Sequence, residues 1–135
     1  MNLFSSEFNV LGGALDVLTE RHGVIASNIA NVDTPGYKAK EINFKDAFKG
    51  ALEKSGIAMK RSREDHMTAG SVQSSPSAFI REQINNSMRN DGNNVNVDNE
   101  MTQLAQNTIM FDMAVQMIGK RFEALKYTIS EGRRS

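Results

Sequence analysis

Several residue types that would reveal a fold or a chemistry are missing from this chain of 135 residues. There is no cysteine, which excludes a disulfide framework and thiolate chemistry and leaves the cellular compartment open. There is no tryptophan, only two prolines occur, and aromatic residues make up 7% of the chain, which disfavours a long all-β sandwich. The sixteen basic and sixteen acidic residues cancel, so the basic excess typical of a nucleic-acid-binding protein is lacking.

Two further absences concern membranes and export. The first basic residue is Arg21, so the N-terminus lacks the basic region of a cleavable secretory signal. No uninterrupted apolar run approaches the roughly 20 residues that a membrane-spanning helix needs. If the protein leaves the cytoplasm, we therefore expect it to use another route.

The strongest positive signal is an apolar pattern at each end of the chain. Large apolar residues recur at alternating steps of three and four, which is the heptad spacing of a helix that packs against another helix. The N-terminal pattern has one polar member, His22, which we interpret as a partly buried histidine that sets register. The C-terminal pattern begins at Val97 and has one polar member, Thr108. We predict an assembly seam that consists of Phe8, Leu11, Leu15, Leu18, Ile25, Ile29, Val32, Met101, Leu104, Phe111, Val115, Ile118, Phe122, Leu125 and Ile129.

These patterns predict a mainly α protein with a long heptad helix at each end. The N-terminal helix occupies residues 1–32, a turn and loop-rich middle segment follows at 33–96, and the C-terminal helix occupies 97–135. Burying one large apolar side chain yields about 1.5–3 kcal/mol, so neither stripe is stable when left in water. We expect the two helices to pair as a coiled-coil-like hairpin or to pack between subunits, and we favour an assembly role over a free-standing dimer.

The middle segment is polar and carries only short elements. Asn43 is predicted to cap a short helix that follows it, and Asp98 to cap the C-terminal helix. Phe79 and Ile80 belong to a weak helical or extended pattern, and Val95-Asn96-Val97 alternates like a very short strand.

Motifs of catalysis and cofactor binding are not found in the sequence. Two histidines without cysteine make a poor case for a metal site, and there is neither a phosphate-binding glycine loop nor a Gly-x-Ser-x-Gly motif. We therefore expect no enzyme, no metal or other cofactor, no small-molecule substrate and no nucleic-acid partner. A small enzyme and a helical export chaperone or adaptor are the alternatives to an assembly subunit.

One local motif is specific, and it follows the N-terminal helical pattern. Pro35 fixes its own φ and disfavours helix at the preceding residue, and Pro35-Gly36 fits the centre of a type II turn, in which the second residue needs a positive φ. We expect Asn28 and Asn31 to donate to the carbonyls freed at the end of the helix, and Tyr37 to begin an extended segment. The signature turn comprises Asn28, Asn31, Asp33, Thr34, Pro35, Gly36 and Tyr37.

The signature turn, together with the intervening Ile29 and Ala30, resembles the N-terminal signature that rod and hook proteins of the bacterial flagellum share. The chain length and the C-terminal stretch from Asp91 to Phe111 narrow the resemblance to the flagellar basal-body rod proteins of the proximal rod. At the position of Phe111 that family commonly has tyrosine, so the aromatic ring is kept and the hydroxyl is lost. A sister proximal rod family shares the N-terminal motif and is the nearest alternative.

The resemblance implies a structural subunit that the flagellar type III apparatus exports without a cleaved signal. It implies a location in the flagellum basal body, in the periplasmic space, where the paired terminal helices line the shaft and the middle segment faces outward. The implied partners are other copies of the chain, other rod subunits, the adaptor protein at the rod base and the export gate. Phe44 and Phe48 fit the Phe-x-x-x-hydrophobic export-gate motif of early substrates, although the same spacing also suits two residues that pack along one helix turn.

Overall fold

The computed structural model describes residues 6–54, 76–83 and 90–132, and it is mainly helical, as the sequence predicts. Long helices lie at both ends, and a shorter helix lies between them together with a two-stranded antiparallel sheet. None of the described helices is long and apolar enough to cross a membrane. In chain order the elements are α1 (Ser6–Ala30), β1 (Lys40–Ile42), α2 (Phe44–Lys54), a 3₁₀ turn (Pro76–Phe79), β2 (Ile80–Glu82) and α3 (Val97–Glu131).

The terminal helices α1 and α3 lie side by side and run in opposite directions. Near the end of α1, Asn28 bonds to Glu100 in the first turn of α3. Near the start of α1, the Phe8 ring lies 5.0 Å from the ring of Phe122, between centroids. The Arg121 guanidinium also lies 3.1 Å from the carboxylate of Glu7 at this end. The hairpin within one chain is therefore the pairing that the structure adopts.

The faces that meet in the hairpin match the predicted seam on α1 and depart from it on α3. Leu18 and Ile25 are buried, whereas on α3 the predicted Met101, Val115 and Phe122 are about half exposed. The buried positions of α3 lie one residue earlier in each heptad, and the predicted Leu104, Phe111, Ile118 and Leu125 are partly buried beside them. Small and polar residues occupy those buried positions and let the helices approach closely. They are Glu100, Asn107 and Ala114.

A second face of α1 forms the core with the middle segment, and the heptad pattern did not reveal it. Val17 and Val24 are buried against Ile42 and Ala47, and aromatic and aliphatic side chains of α2 and β2 pack around this cluster. Helix α2 approaches so closely that a Cβ atom added at Gly13 would lie 3.3 Å from the Cβ of Ala51. α1 is therefore covered on two sides and α3 mainly on one.

Two predicted helix caps have different outcomes. The Asn43 side chain accepts from the amide of Lys45 at 3.1 Å, which confirms it as the cap of α2. The predicted cap Asp98 is wrong, because the Asn96 side chain accepts from the amide of Asn99 at 3.2 Å and Asp98 already lies in the first turn.

Two other expectations in this part of the chain are corrected. The strand predicted at Val95-Asn96-Val97 does not form: Val95 and Asn96 lead into α3, and Val97 begins it. His22 is exposed rather than partly buried, because it lies at the edge of the α1–α3 contact instead of between the helices.

Candidate assembly site

The signature turn stops α1 as the sequence predicts. The helix ends at Ala30, and the Asn31 side-chain amide donates to the carbonyl of Ser27 at 2.8 Å. Gly36 has a φ of 74°, and the amide of Tyr37 donates to the carbonyl of Thr34 at 3.2 Å. A β-turn with a positive φ at its second central residue is what Pro-Gly was expected to form.

Asn28 has a different role from the predicted one. It is fully buried, and its amide nitrogen donates to the carbonyl of Lys40 at 2.7 Å and to the carboxylate of Glu100 at 3.0 Å. Its amide oxygen accepts from the backbone N–H of Lys40 at 2.9 Å and from the hydroxyl of Tyr37 at 3.3 Å. The side chain thus pairs with β1 as a backbone group would, and it joins α1 and β1 to α3.

The carbonyls of the turn that follows α1 are bonded by Asn93, a residue about 60 positions away that the sequence did not single out. Asn93 is fully buried, and its amide nitrogen lies 2.9 Å from each of the carbonyl oxygens of Asn31, Val32 and Thr34. Its amide oxygen accepts from the backbone N–H of Val95 at 2.8 Å. The only sequence signal for this role is the run of asparagines after the Asp91-Gly92 turn.

Two turns that are distant in sequence therefore fit against each other. The amide of Gly36 donates to the carbonyl of Asp91 at 2.9 Å, and the ammonium of Lys38 donates to the carbonyl of Gly92 at 2.6 Å. Gly92 also has a positive φ, 77°. We call the bonded turns and the side chains that join them to the helices the helix clamp. It comprises Asn28, Gly36, Lys38, Lys40, Asp91, Gly92, Asn93 and Glu100.

The remaining predicted site residues are distributed over the surface and the core. Asp33 and Pro35 of the signature turn are exposed. Phe44 and Phe48 stack on each other with centroids 5.5 Å apart, both partly buried, and Phe44 packs against the core cluster. In the described part of the chain, no three histidine, aspartate or glutamate side chains gather as a metal site would require.

Comparison with known proteins assigns this architecture to a family. Residues 8–38, which span most of α1 and the whole signature turn, match the family described as flagella basal body rod protein. The flagellar basal body rod protein FlgB of Bacillus subtilis is 33% identical over 133 residues, which cover 98% of this chain and 100% of that protein. The chain belongs to the FlgB family.

Relatives from distant bacteria support the assignment. FlgB of Salmonella typhimurium is 32% identical over 124 residues, covering 88% of this chain and 89% of that protein. FlgB of Borrelia hermsii is 30% identical over 136 residues, covering 96% of this chain and 99% of that protein. The sister proximal rod protein FlgC is not favoured. Because the FlgB matches extend into α3, they include the helix-clamp residues that follow α1 and those that precede and begin α3.

Proposed function

We propose that this chain, a structural subunit of the flagellar basal body rod by its family, assembles through the outer surfaces of its paired terminal helices. The observation that supports this is the one-sided burial of α3. Ten of its large apolar side chains, from Val97 to Ile129, are between 39% and 63% exposed. Contiguous exposed apolar surface marks interaction sites in soluble proteins. As a rod subunit the chain has other rod subunits as partners.

We further propose that different segments of the chain have different structural roles. The terminal segments 1–32 and 97–135 form the shaft, and the segment 33–96 forms an outward-facing module held by the helix clamp. The last turns of α3, after Leu125, are exposed. An isolated helix end is marginally stable in water, so we propose that this part becomes fully ordered only on docking to the growing rod. Coupling order to assembly discourages polymerisation before export.

The proposal also includes the export route and two further partners, the export gate and the adaptor protein at the rod base. A chain without cysteine suits transit in an unfolded state through the flagellar type III apparatus to the periplasmic side. Because Phe44 and Phe48 are stacked and partly buried in the folded chain, the export gate would bind them before folding. The adaptor protein at the rod base is the partner proposed for the first subunits. No catalytic role is proposed.

Sedimentation velocity and far-UV circular dichroism over a wide concentration series test the assembly proposal. We expect a monomer in dilute solution that gains helix as it forms open-ended larger species. The variant Ile129→Asp changes an apolar side chain that is 58% exposed, so it should fold and yet assemble poorly. The matched control is Glu131→Asp, which keeps the charge in the same turn. A fully helical dimer of fixed size at every concentration would contradict the proposal and favour a helical chaperone or adaptor.

A further inference from the structure

Buried side chains between α1 and α3 are confined to one part of the hairpin. Along α3 they begin at Glu100 in the helix clamp and end at Ala114. Beyond Ala114 no further side chain of α3 is buried, and on the opposite helix no described side chain before Val17 is buried. We call the last part of this end the distal arm, and it comprises residues 7–11 and 120–131. The two helices are therefore held tightly near the clamp and loosely in the distal arm.

An ion pair and a ring pair join the helices within the distal arm, and water reaches both. The carboxylate of Glu7 lies 3.1 Å from the guanidinium of Arg121, and these side chains are 52% and 54% exposed. An ion pair that is so exposed contributes little to stability. The Phe8 ring packs on the Phe122 ring with centroids 5.0 Å apart, but Phe122 remains 52% exposed. Neither contact therefore resists separation of the helices strongly.

A glycine borders the distal arm on each helix, Gly12 on α1 and Gly119 on α3. A Cβ atom added at either glycine would meet no neighbouring atom within 4 Å, so close packing does not require glycine there. Neither residue has the positive φ that favours glycine. Glycine within a helix is less favourable than alanine, because its backbone reaches non-helical conformations readily. Since Glu7 faces Arg121 in the antiparallel pair, the two glycines lie within about one helix turn of each other along the hairpin.

We propose that the distal arm opens and closes about hinges at Gly12 and Gly119. Helix α2 packs against α1 at Gly13, and the buried face of α3 ends at Ala114, so each hinge lies just outside the tightly packed part. A few residues that change their backbone angles are enough to move a packed element. Regions with few buried apolar contacts open at a lower free energy than the core. The helix clamp and the core therefore stay intact while the arm moves.

Opening has a consequence for assembly, and this consequence rests on the proposed function. In the closed form the rings of Phe8 and Phe122 cover each other. In the open form both rings turn to the outside and add to the exposed apolar side chains of α3. A partner that binds the open form more tightly shifts the population toward that form. The closed form thus keeps part of the assembly surface covered until a partner docks.

Distances between spin labels test the hinge in the full chain, which has no native cysteine. Asn9→Cys with Glu123→Cys places one label on each helix of the distal arm, at exposed positions. Ala26→Cys with Thr102→Cys is the control pair, also exposed, near the helix clamp. We expect one narrow distance distribution for the control pair and an additional, longer population for the distal pair. A single narrow distribution for the distal pair would overturn the proposal.

Alanine at both hinges provides a second test. Gly12→Ala with Gly119→Ala should lower the longer population about fivefold or more, because alanine leaves the helical conformation less readily than glycine. Gly23→Ala is the matched control, since Gly23 also lies in α1 with no neighbouring atom within 4 Å of an added Cβ, but away from the distal arm. It should leave the distal distances unchanged. If the double alanine variant keeps the longer population in full, the glycines are not the hinges and the proposal is wrong.

A covalent staple separates the hinge from its role in assembly. Glu7→Cys with Arg121→Cys, joined within one chain by a short bis-maleimide, holds the distal arm closed. Sedimentation should then show association weakened about tenfold or more relative to the same variant left unlinked. The same reagent across the control pair should leave association unchanged. Equal association of the stapled and unlinked chains would refute the role of opening in assembly. If the unmodified chain does not associate at all, the proposed function fails, and the spin-label distances still decide whether the arm opens.

Discussion

Asn93 in the helix clamp should be the most sensitive position outside the apolar core. Replacing it with alanine removes the donor shared by the carbonyls of Asn31, Val32 and Thr34, and it removes the acceptor for the buried amide of Val95. The buried amide alone costs about 1–3 kcal/mol when it is left unsatisfied. The carbonyls are only partly buried and can bond to water, so they add less. We expect a total loss of about 2–4 kcal/mol in the free energy of unfolding.

Urea denaturation followed by circular dichroism measures this loss, with an unchanged denaturant slope showing that only stability has changed. Asn90→Ala, an exposed asparagine in the same turn, is the control and should lie within about 0.5 kcal/mol of the native chain. Asn93→Asp is the sharper variant, because it keeps the size and puts a carboxylate oxygen against three carbonyl oxygens. It should be less stable than Asn93→Ala at neutral pH. An aspartate variant as stable as the native chain would refute the hydrogen-bond assignment.

Three further predictions follow from single contacts. Gly36→Ala should destabilise the chain by about 1–3 kcal/mol in urea denaturation, because Gly36 has a φ of 74°. The control Gly12→Ala lies at an open helical position and should stabilise the chain by about 0.5–1 kcal/mol. Equal effects of the two substitutions would contradict the turn assignment. Asn28→Asp should destabilise the chain at neutral pH, since it faces a buried carboxylate, and protonation in acid should relieve part of the loss; a loss that is independent of pH would argue against that contact. The hydroxyl of Tyr127 donates to the carboxylate of Glu131, and this bond raises the pKa of Tyr127. Glu131→Gln should therefore lower that pKa, which a tyrosinate absorbance titration measures once the other tyrosine is replaced by phenylalanine. An unchanged titration would refute the contact.

Local signals predicted the elements whose causes are local. Pro35 and Gly36 specify a turn by their own backbone preferences, and Asn43 caps the helix that follows it directly. The two long helices α1 and α3 were predicted because their heptad patterns are long. Asn93 was missed because it bonds the turn that follows α1, about 60 residues earlier, and nothing within its own turn indicates such a partner.

The buried face of α3 could not be predicted from the heptad pattern. A heptad pattern is recognised by large apolar residues, so it favoured Met101 and Val115. The structure buries Ala114 and Asn107 in that row instead, since a small residue allows close approach and an amide can bond across the helix pair. When a helix is apolar on more than one side, its sequence is compatible with two different buried faces. Packing against the rest of the protein determines which of them is buried.

The two bonded turns of the clamp have a consequence for the length of the segment between them. Because Gly36 bonds to Asp91 and Lys38 bonds to Gly92, the chain departs from the helix pair and rejoins it at one point. Whatever lies between has its ends already held together, and doubling the length of a flexible loop costs only about 0.6 kcal/mol in closure entropy. Extra length between these two turns should therefore leave the register of the two helices unchanged.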